Sequence, residues 1–246
     1  MMLRKLAALV RHWVVRRWAG ALLKRDLTQP IQTIQPRRTV SLTCLSRSST
    51  SPETARLLAD PAGEHFARRL ARGEVCVLAT AGDHIIGYGW LGFDKWRLDD
   101  VGIAVGITDV ECVLYDLYAI AEARGSLVGS AIVAGLMHEA KRRGYQGVYC
   151  RVSQHNEASK ALFSRLGFIR GVSLSCVRLL GRFGVYVVHV DDPHGLGRHI
   201  IDATEWLGPS LQVCKTGGGG GIRVRTVGIS RRVVPQVPVD LGGPKE

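Results

Sequence analysis

The sequence predicts one α/β domain, and three observations carry that expectation. Of its 246 residues 46% are hydrophobic and 22% charged, enough to bury a core and too apolar for a mainly disordered chain. A hairpin pattern runs through Val75–Thr80 and His84–Phe93 around Ala81-Gly82-Asp83. Between 110 and 167 the apolar periods then read strand, loop, helix, strand, helix.

Taken in order, 2–25 reads as a basic amphipathic helix. It contains no Pro, and Leu6, Leu9, Val10, Trp13 and Val14 share one face, on which Arg17 and Lys24 intrude. Residues 26–38 hold Pro30 and Pro36 without an apolar period and read as a linker. Val40–Leu45 is expected as the first strand, and Pro52–Arg72 as a helix in two pieces broken near Pro61 and Gly63. After the hairpin, 94–109 is irregular and acidic. Val110–Ile120 is a strand, Gly129–Arg143 a helix stopped by Gly144, Gly147–Val152 a strand, and Glu157–Leu166 a helix stopped by Gly167. Gly171–Leu180 and Phe183–Val190 form a last strand pair. The domain is expected over 39–192, followed by an uncertain extension over 193–214. Five consecutive glycines, Gly217–Gly221, open a basic tail over 215–246 that is expected to be mostly disordered.

The net charge of +12 is carried by the ends. Residues 1–25 hold seven Lys or Arg and no acid, 215–246 hold six against two, and 26–214 are nearly neutral. A nucleic-acid footprint needs its charge on the fold, so that class is disfavoured. The first segment instead suggests attachment to an anionic membrane surface, with Trp13 and Trp18 at the interface, or docking on its own domain or a partner chain. No apolar stretch approaches the roughly 20 residues of a membrane-spanning helix, and no secretory signal is visible. Cytoplasmic is therefore the default compartment, with the inner membrane surface as the peripheral alternative. The six cysteines lie far apart without a C-x-x-C pair, which argues against zinc fingers and redox motifs. His84, His138 and His155 have no ligand spacing, and no metal is expected. Asp191-Asp192-Pro193-His194 reads as a turn, and Lys141-Arg142-Arg143 suits a helix C-terminus.

The chemistry concentrates after the strand Tyr115-Asp116-Leu117-Tyr118-Ala119-Ile120. There Arg124-Gly125-Ser126-Leu127-Val128-Gly129-Ser130 turns straight into a helix. A small-residue loop opening a helix presents unpaired N–H groups at the positive end of the dipole, which suits a pyrophosphate. Gly129 permits close approach, and Arg124 can add a charge-assisted contact. The G-x-G-x-x-G and G-x-x-x-x-G-K-S/T fingerprints are absent, disfavouring dinucleotides and nucleoside triphosphates.

This stretch, from Asp116-Leu117-Tyr118-Ala119 through Arg124 to Ser130, resembles the acetyl-CoA motif Q/R-x-x-G-x-G/A of the GNAT acetyltransferases. Asn156-Glu157-Ala158-Ser159-Lys160-Ala161-Leu162-Phe163-Ser164-Arg165-Leu166-Gly167-Phe168 resembles the same family's N-x-x-A-x-x-L-Y-x-x-x-G-F helix. The resemblance covers roughly 40–190. It implies the GNAT fold, a mixed and mostly antiparallel sheet flanked by helices. It also implies acetyl-CoA as co-substrate and transfer of the acetyl group to an amine or hydroxyl by direct attack. In the family the strand ending at Leu117–Ala119 splays from its neighbour. The backbone of Tyr118 and Ile120 is then expected to pair with the pantetheine arm, and the Leu117–Tyr118 amides to face the acetyl carbonyl. The loop 124–130 is expected to take the pyrophosphate. Asn156, Ser159 and Phe163 fall on the cofactor side.

Three positions depart from the family pattern: Leu127 stands for the first motif glycine, Phe163 for the tyrosine acid and Ser159 for alanine. Tyr115 and Tyr149 are then the candidate acids, unless solvent protonates the thiolate. The candidate bases are Glu111 and Asp116, which on a regular strand face opposite sides. Leu127 and Phe163 also support an alternative, a catalytically impaired acyl-CoA sensor or scaffold. The acceptor and the oligomeric state are open, exchange of C-terminal strands being one route to a homodimer.

Overall fold

Alternation along the hairpin decides the layering. In strand β3 (Val75–Ala81), Val75, Val77 and Ala79 belong to one apolar cluster, while Cys76 and Leu78 belong to another. A strand buried on both faces must carry helices on both. The computed structural model describes residues 15–59, 62–93, 96–98, 103–105, 107–179 and 183–189, and short strands at 204–206, 212–214, 223–225 and 228–229.

The other strands of the body are β1 (Val15–Asp26), β2 (Ser41–Leu45), β4 (His84–Gly92), β7 (Glu111–Ala119), β8 (Gly147–Ser153), β9 (Ile169–Leu179) and β10 (Phe183–His189). Short strands β5 (Trp96–Leu98), β6 (Ile103–Val105) and β11 (Thr204–Trp206) make a second sheet, and β12 (Gln212–Cys214) pairs with β13 (Arg223–Arg225). The helices are α1 (Pro52–Leu58), α2 (Gly63–Ala71), α3 (Val128–Arg142) and α4 (Glu157–Arg165). With β14 (Gly228–Ile229), the main sheet among the described residues runs β14-β10-β9-β1-β8-β7-β4-β3-β2. Its pairings are antiparallel except β7 with β8, where α3 makes the crossover. One face is covered by Val128, Ile132, Leu136 and Met137 of α3 with Phe163 of α4, the other by Leu57 of α1 and Phe66 and Leu70 of α2 around Trp90. This is the mixed, mostly antiparallel α/β sheet that the sequence predicts, with boundaries within two residues for the main-sheet strands from β2 to β10, whereas the stretch 94–109 expected to be irregular contains the short strands β5 and β6.

The expected helix over 2–25 is corrected by the structure. Residues 1–14 lie outside the described residues, and 15–26 form strand β1. That strand sits inside the sheet, pairing with β8 from Gly20 to Asp26 and with β9 from Val15 to Lys24. An interior strand is covered on both faces, so adjacent Leu22 and Leu23 are both buried and no alternation marks the strand. Lys24 is an ion-pair partner within the fold, its Nζ 2.7 Å from Glu111 Oε1. The sheet therefore begins well before residue 39. The linker expectation holds for backbone shape alone, since Leu27, Ile31 and Ile34 pack on the core. Apart from β13 and β14, the tail beyond 215 lies outside the described residues, as does the Asp191–His194 cluster. Among the described residues no helix is long and apolar enough to cross a membrane.

Cys76, Cys112 and Cys150 are buried free thiols, and Cys44 is exposed. Burial raises the Cys112 thiol to about 12, far from thiolate chemistry.

Candidate active site

A parallel ladder needs both strands to keep step, and here it stops early. β7 and β8 pair from Glu111–Gly147 to Leu114–Cys150. Beyond that, β7 runs on to Ala119 beside β4, and β8 runs on to Ser153 beside β1. The two strands thus part at Tyr115, leaving a split whose β7 wall is 115–119.

A bulge sets what that wall presents. Tyr88 pairs with Tyr118 while Trp90 pairs with Tyr115, so β7 carries one extra residue between them. Asp116 occupies the bulge with φ 51, a left-handed conformation that aspartate tolerates better than most residues. The extra residue reverses the alternation beyond it. Ile120 N–H donates to Ile86 O at 3.0 Å, on the β4 side. The expectation that Tyr118 and Ile120 offer their backbone to the split is therefore corrected: by alternation Leu117 and Ala119 face it. The Ala119 carbonyl accepts from Arg124 Nε at 3.3 Å.

The loop beyond the strand turns through a 3-10 segment at Ala121–Ala123 into α3. No side chain caps the first turn of α3, so the N–H groups at its start, Val128 to Ser130, face outward at the positive end of the dipole. Gly125 has φ 77, as the turn requires. Leu127 sits at φ 67 and ψ 6, a left-handed conformation that glycine adopts freely. A leucine there carries roughly 1–2 kcal/mol of strain. Leu127→Gly is accordingly expected to raise stability by about 1 kcal/mol, after the extra unfolded-chain entropy of glycine is subtracted. Urea unfolding reads this as a higher midpoint at unchanged slope; a lower midpoint contradicts it. The Cβ of any residue replacing Gly129 would meet Leu162 of α4 at 3.2 Å, so glycine there serves packing as well as approach.

Two arginines that the sequence reading passed over flank this loop. Arg37 N–H donates to Ser126 O at 2.9 Å, and Arg38 Nη1 donates to Glu122 O at 3.3 Å. The apparent linker thus runs along this loop, with the Arg37 backbone and the Arg38 guanidinium both bonded to it. Pattern alone gave no sign of this, because the contact spans more than 80 residues.

At the mouth of the split, Arg69 of α2 donates to Asp116 Oδ2 at 2.6 Å. Its guanidinium lies 5.0 Å from the Trp90 ring centre and 4.9 Å from that of Tyr115. The Tyr115 hydroxyl donates to Glu74 Oε2. Burial and that bond push its proton affinity up, so Tyr115 is a reluctant acid. Asp116 is 40% exposed at the side chain, open to a ligand entering from this face.

Glu111, the other candidate base, is 5% exposed and held on several sides. Burial disfavours its charge, but bonds from Lys24 (2.7 Å), the Tyr149 hydroxyl (2.8 Å) and Thr108 N–H (3.2 Å) outweigh that and hold it at about 2. With the folded value below the ordinary 4.5, its stabilisation is complete above pH 4.5 and lost as pH falls toward 2. The difference amounts to about 3 kcal/mol. Glu111→Gln is expected to flatten the acid limb of a stability–pH curve between those values; an unchanged limb contradicts the ion-pair role. Tyr149, a candidate acid, is engaged by the same carboxylate.

In the second motif the structure shows a cap and a core contact. Asn156 caps α4, its Oδ1 accepting from Ser159 N–H at 3.0 Å. Phe163 is 4% exposed and packs edge-on to Phe168, with ring centres 4.9 Å apart. A ring without a hydroxyl belongs there, in the core. Arg142 and Arg143 both bond Glu139. Among the described residues, no three His, Cys, Asp or Glu side chains converge as a metal site.

A family model described as the acetyltransferase (GNAT) family matches residues 42–168. No curated protein matches the chain. Among solved structures, a GCN5-related N-acetyltransferase from Sphaerobacter thermophilus is similar at 12% identity and a TM-score of 0.48, covering 72% of this chain and 56% of that one. One from Kribbella flavida is similar at 12% identity and a TM-score of 0.46, covering 70% and 62% respectively. A Drosophila protein is similar at 15% identity and a TM-score of 0.46, covering 72% and 57%. The chain thus spans less than two thirds of each of these proteins.

Proposed function

The chain belongs to the acetyltransferase (GNAT) family, and on that footing we propose that it moves an acetyl group from acetyl-CoA to an amine, or a hydroxyl, of an acceptor within a ternary complex. The observation that carries this reading is the early end of the β7–β8 ladder beside an uncapped helix start. A strand edge and a cluster of helical N–H groups, one turn apart in sequence, suit an extended amide arm ending in a diphosphate.

In this reading Leu117 and Ala119 pair with the pantetheine arm. The Leu117 N–H also faces the acetyl oxygen and stabilises charge developing there. The start of α3, with Arg124, Arg37 and Arg38, holds the phosphates. Acetyl-CoA supplies an acyl carbon activated as a thioester. Asp116 takes one proton from the acceptor ammonium; the freed nitrogen bonds the acyl carbon as the carbon–sulfur bond breaks, and the second proton that the nitrogen sheds passes to solvent. Tyr115 and Tyr149 each donate to a carboxylate already, so the leaving thiolate takes its proton from solvent. Glu111 holds the sheet together.

Incubation of the full chain with acetyl-CoA and a panel of primary amines tests this. The expected result is thiol release that needs both chain and amine, with the acetyl group found on the amine by mass. Absence of thiol release with every amine in the panel, despite measurable acetyl-CoA binding, would favour the sensor or scaffold reading suggested by Leu127 and Phe163.

A further inference from the structure

Asp116 holds a left-handed conformation that is uncommon for a side-chain-bearing residue, although aspartate tolerates it better than most. Its surroundings here come from α2. Arg69 is 12% exposed at the side chain, pressed against Trp90, which is itself fully buried and stacked on Phe66 with ring centres 5.6 Å apart. A guanidinium fixed on two aromatic faces has lost most of its rotamer freedom before it meets the carboxylate. Its remaining donors therefore act from a rigid platform, and Nη1 reaches Asp116 Oδ2. Tyr115, under the same guanidinium, is fastened separately through its hydroxyl to Glu74. Both residues on the near side of the bulge are thus tied to the α2 face.

What the bulge controls is the phase of the strand beyond it. With the extra residue, Ile120 bonds β4, and Leu117 and Ala119 face the split; without it the alternation runs the other way. We propose that Arg69 is a positioning residue whose bond to Asp116 holds the β7 bulge in place and so keeps the Leu117 and Ala119 backbone turned toward the split. This rests on the acyl-CoA reading given above. Arg69 itself touches neither the arm nor the phosphates in this account, which separates its effect from theirs.

The test uses two ligands on the full chain, acetyl-CoA and 3′-phosphoadenosine 5′-diphosphate, the nucleotide half without the pantetheine arm. Calorimetry with Arg69→Met, which keeps the apolar stem and removes the donors, is expected to show acetyl-CoA binding weakened at least tenfold. Nucleotide binding should stay within about twofold of wild type. Adding Asp116→Gly to that variant is expected to restore acetyl-CoA binding, because glycine holds a positive φ without a clamp. A second pair at one site avoids disturbing Arg69 packing: Asp116→Ala should lose the arm's contribution and Asp116→Gly should keep it. Equal losses for both ligands in Arg69→Met, no loss at all, or equal behaviour of the alanine and glycine variants would overturn the proposal. A wild-type chain that binds the nucleotide and not acetyl-CoA, or neither, overturns the acyl-CoA reading and this inference with it.

Discussion

Lys24→Ala is expected to cost about 3–5 kcal/mol, because it leaves Glu111 ionised, buried and without its cation. A chain beginning at residue 27 should fare worse and show no cooperative unfolding at all. It would lose Leu22 and Leu23, each worth roughly 2 kcal/mol of burial. It would also lose the ladder on both sides of β1, exposing unpaired edges on β8 and β9. Those losses together rival the roughly 5–15 kcal/mol that holds a domain folded. Urea unfolding followed by circular dichroism reads both variants. A truncated chain with a wild-type midpoint would show that β1 is dispensable and that the interior position assigned to it is wrong.

The second large effect concerns chemistry. Asp116→Asn keeps the size and a hydrogen-bond acceptor for Arg69 while removing the base, and asparagine tolerates a positive φ as aspartate does. Its kcat is expected to fall by about 10²–10³ at neutral pH, within the range for loss of a general base. Acetyl-CoA affinity should change little, and raising the pH should recover part of the rate by supplying free amine from solution. Glu111→Gln, by contrast, should cost stability and leave the rate of the folded fraction near wild type. The opposite pattern would move the base from Asp116 to Glu111.

Much of the fold was legible because its signals are local. Gly82, Gly144 and Gly167 all have positive φ at the turn or helix ends where the sequence placed stops, and the hairpin follows from alternation around one of them. The strand–loop–helix order from 111 to 165 likewise needed no long-range information. β1 was misread because an interior strand shows no period of two. Leu22 and Leu23 are both buried, and a row of basic residues on a Pro-free segment imitates a helix. The site was half legible. The loop from Arg124 to Ser130 announced itself through its small residues. The wall of the split shifts by one residue because of the bulge at Asp116, whose partner Arg69 lies 47 positions away. Arg37 and Arg38 were invisible for the same reason. Asn156 and Phe163 matched a motif by sequence, yet one caps a helix and the other fills the core.

The most direct test is acetyl-CoA binding by the full-length chain, measured by calorimetry beside Gly129→Asp, which adds a negative charge to the first turn of α3, and Leu127→Gly. Micromolar binding that the aspartate variant loses and the Leu127→Gly variant keeps or tightens is the expected result. Absence of binding by a chain that unfolds cooperatively, with no gain in the Leu127→Gly variant, would contradict the assignment of this loop and this split to an acyl-CoA.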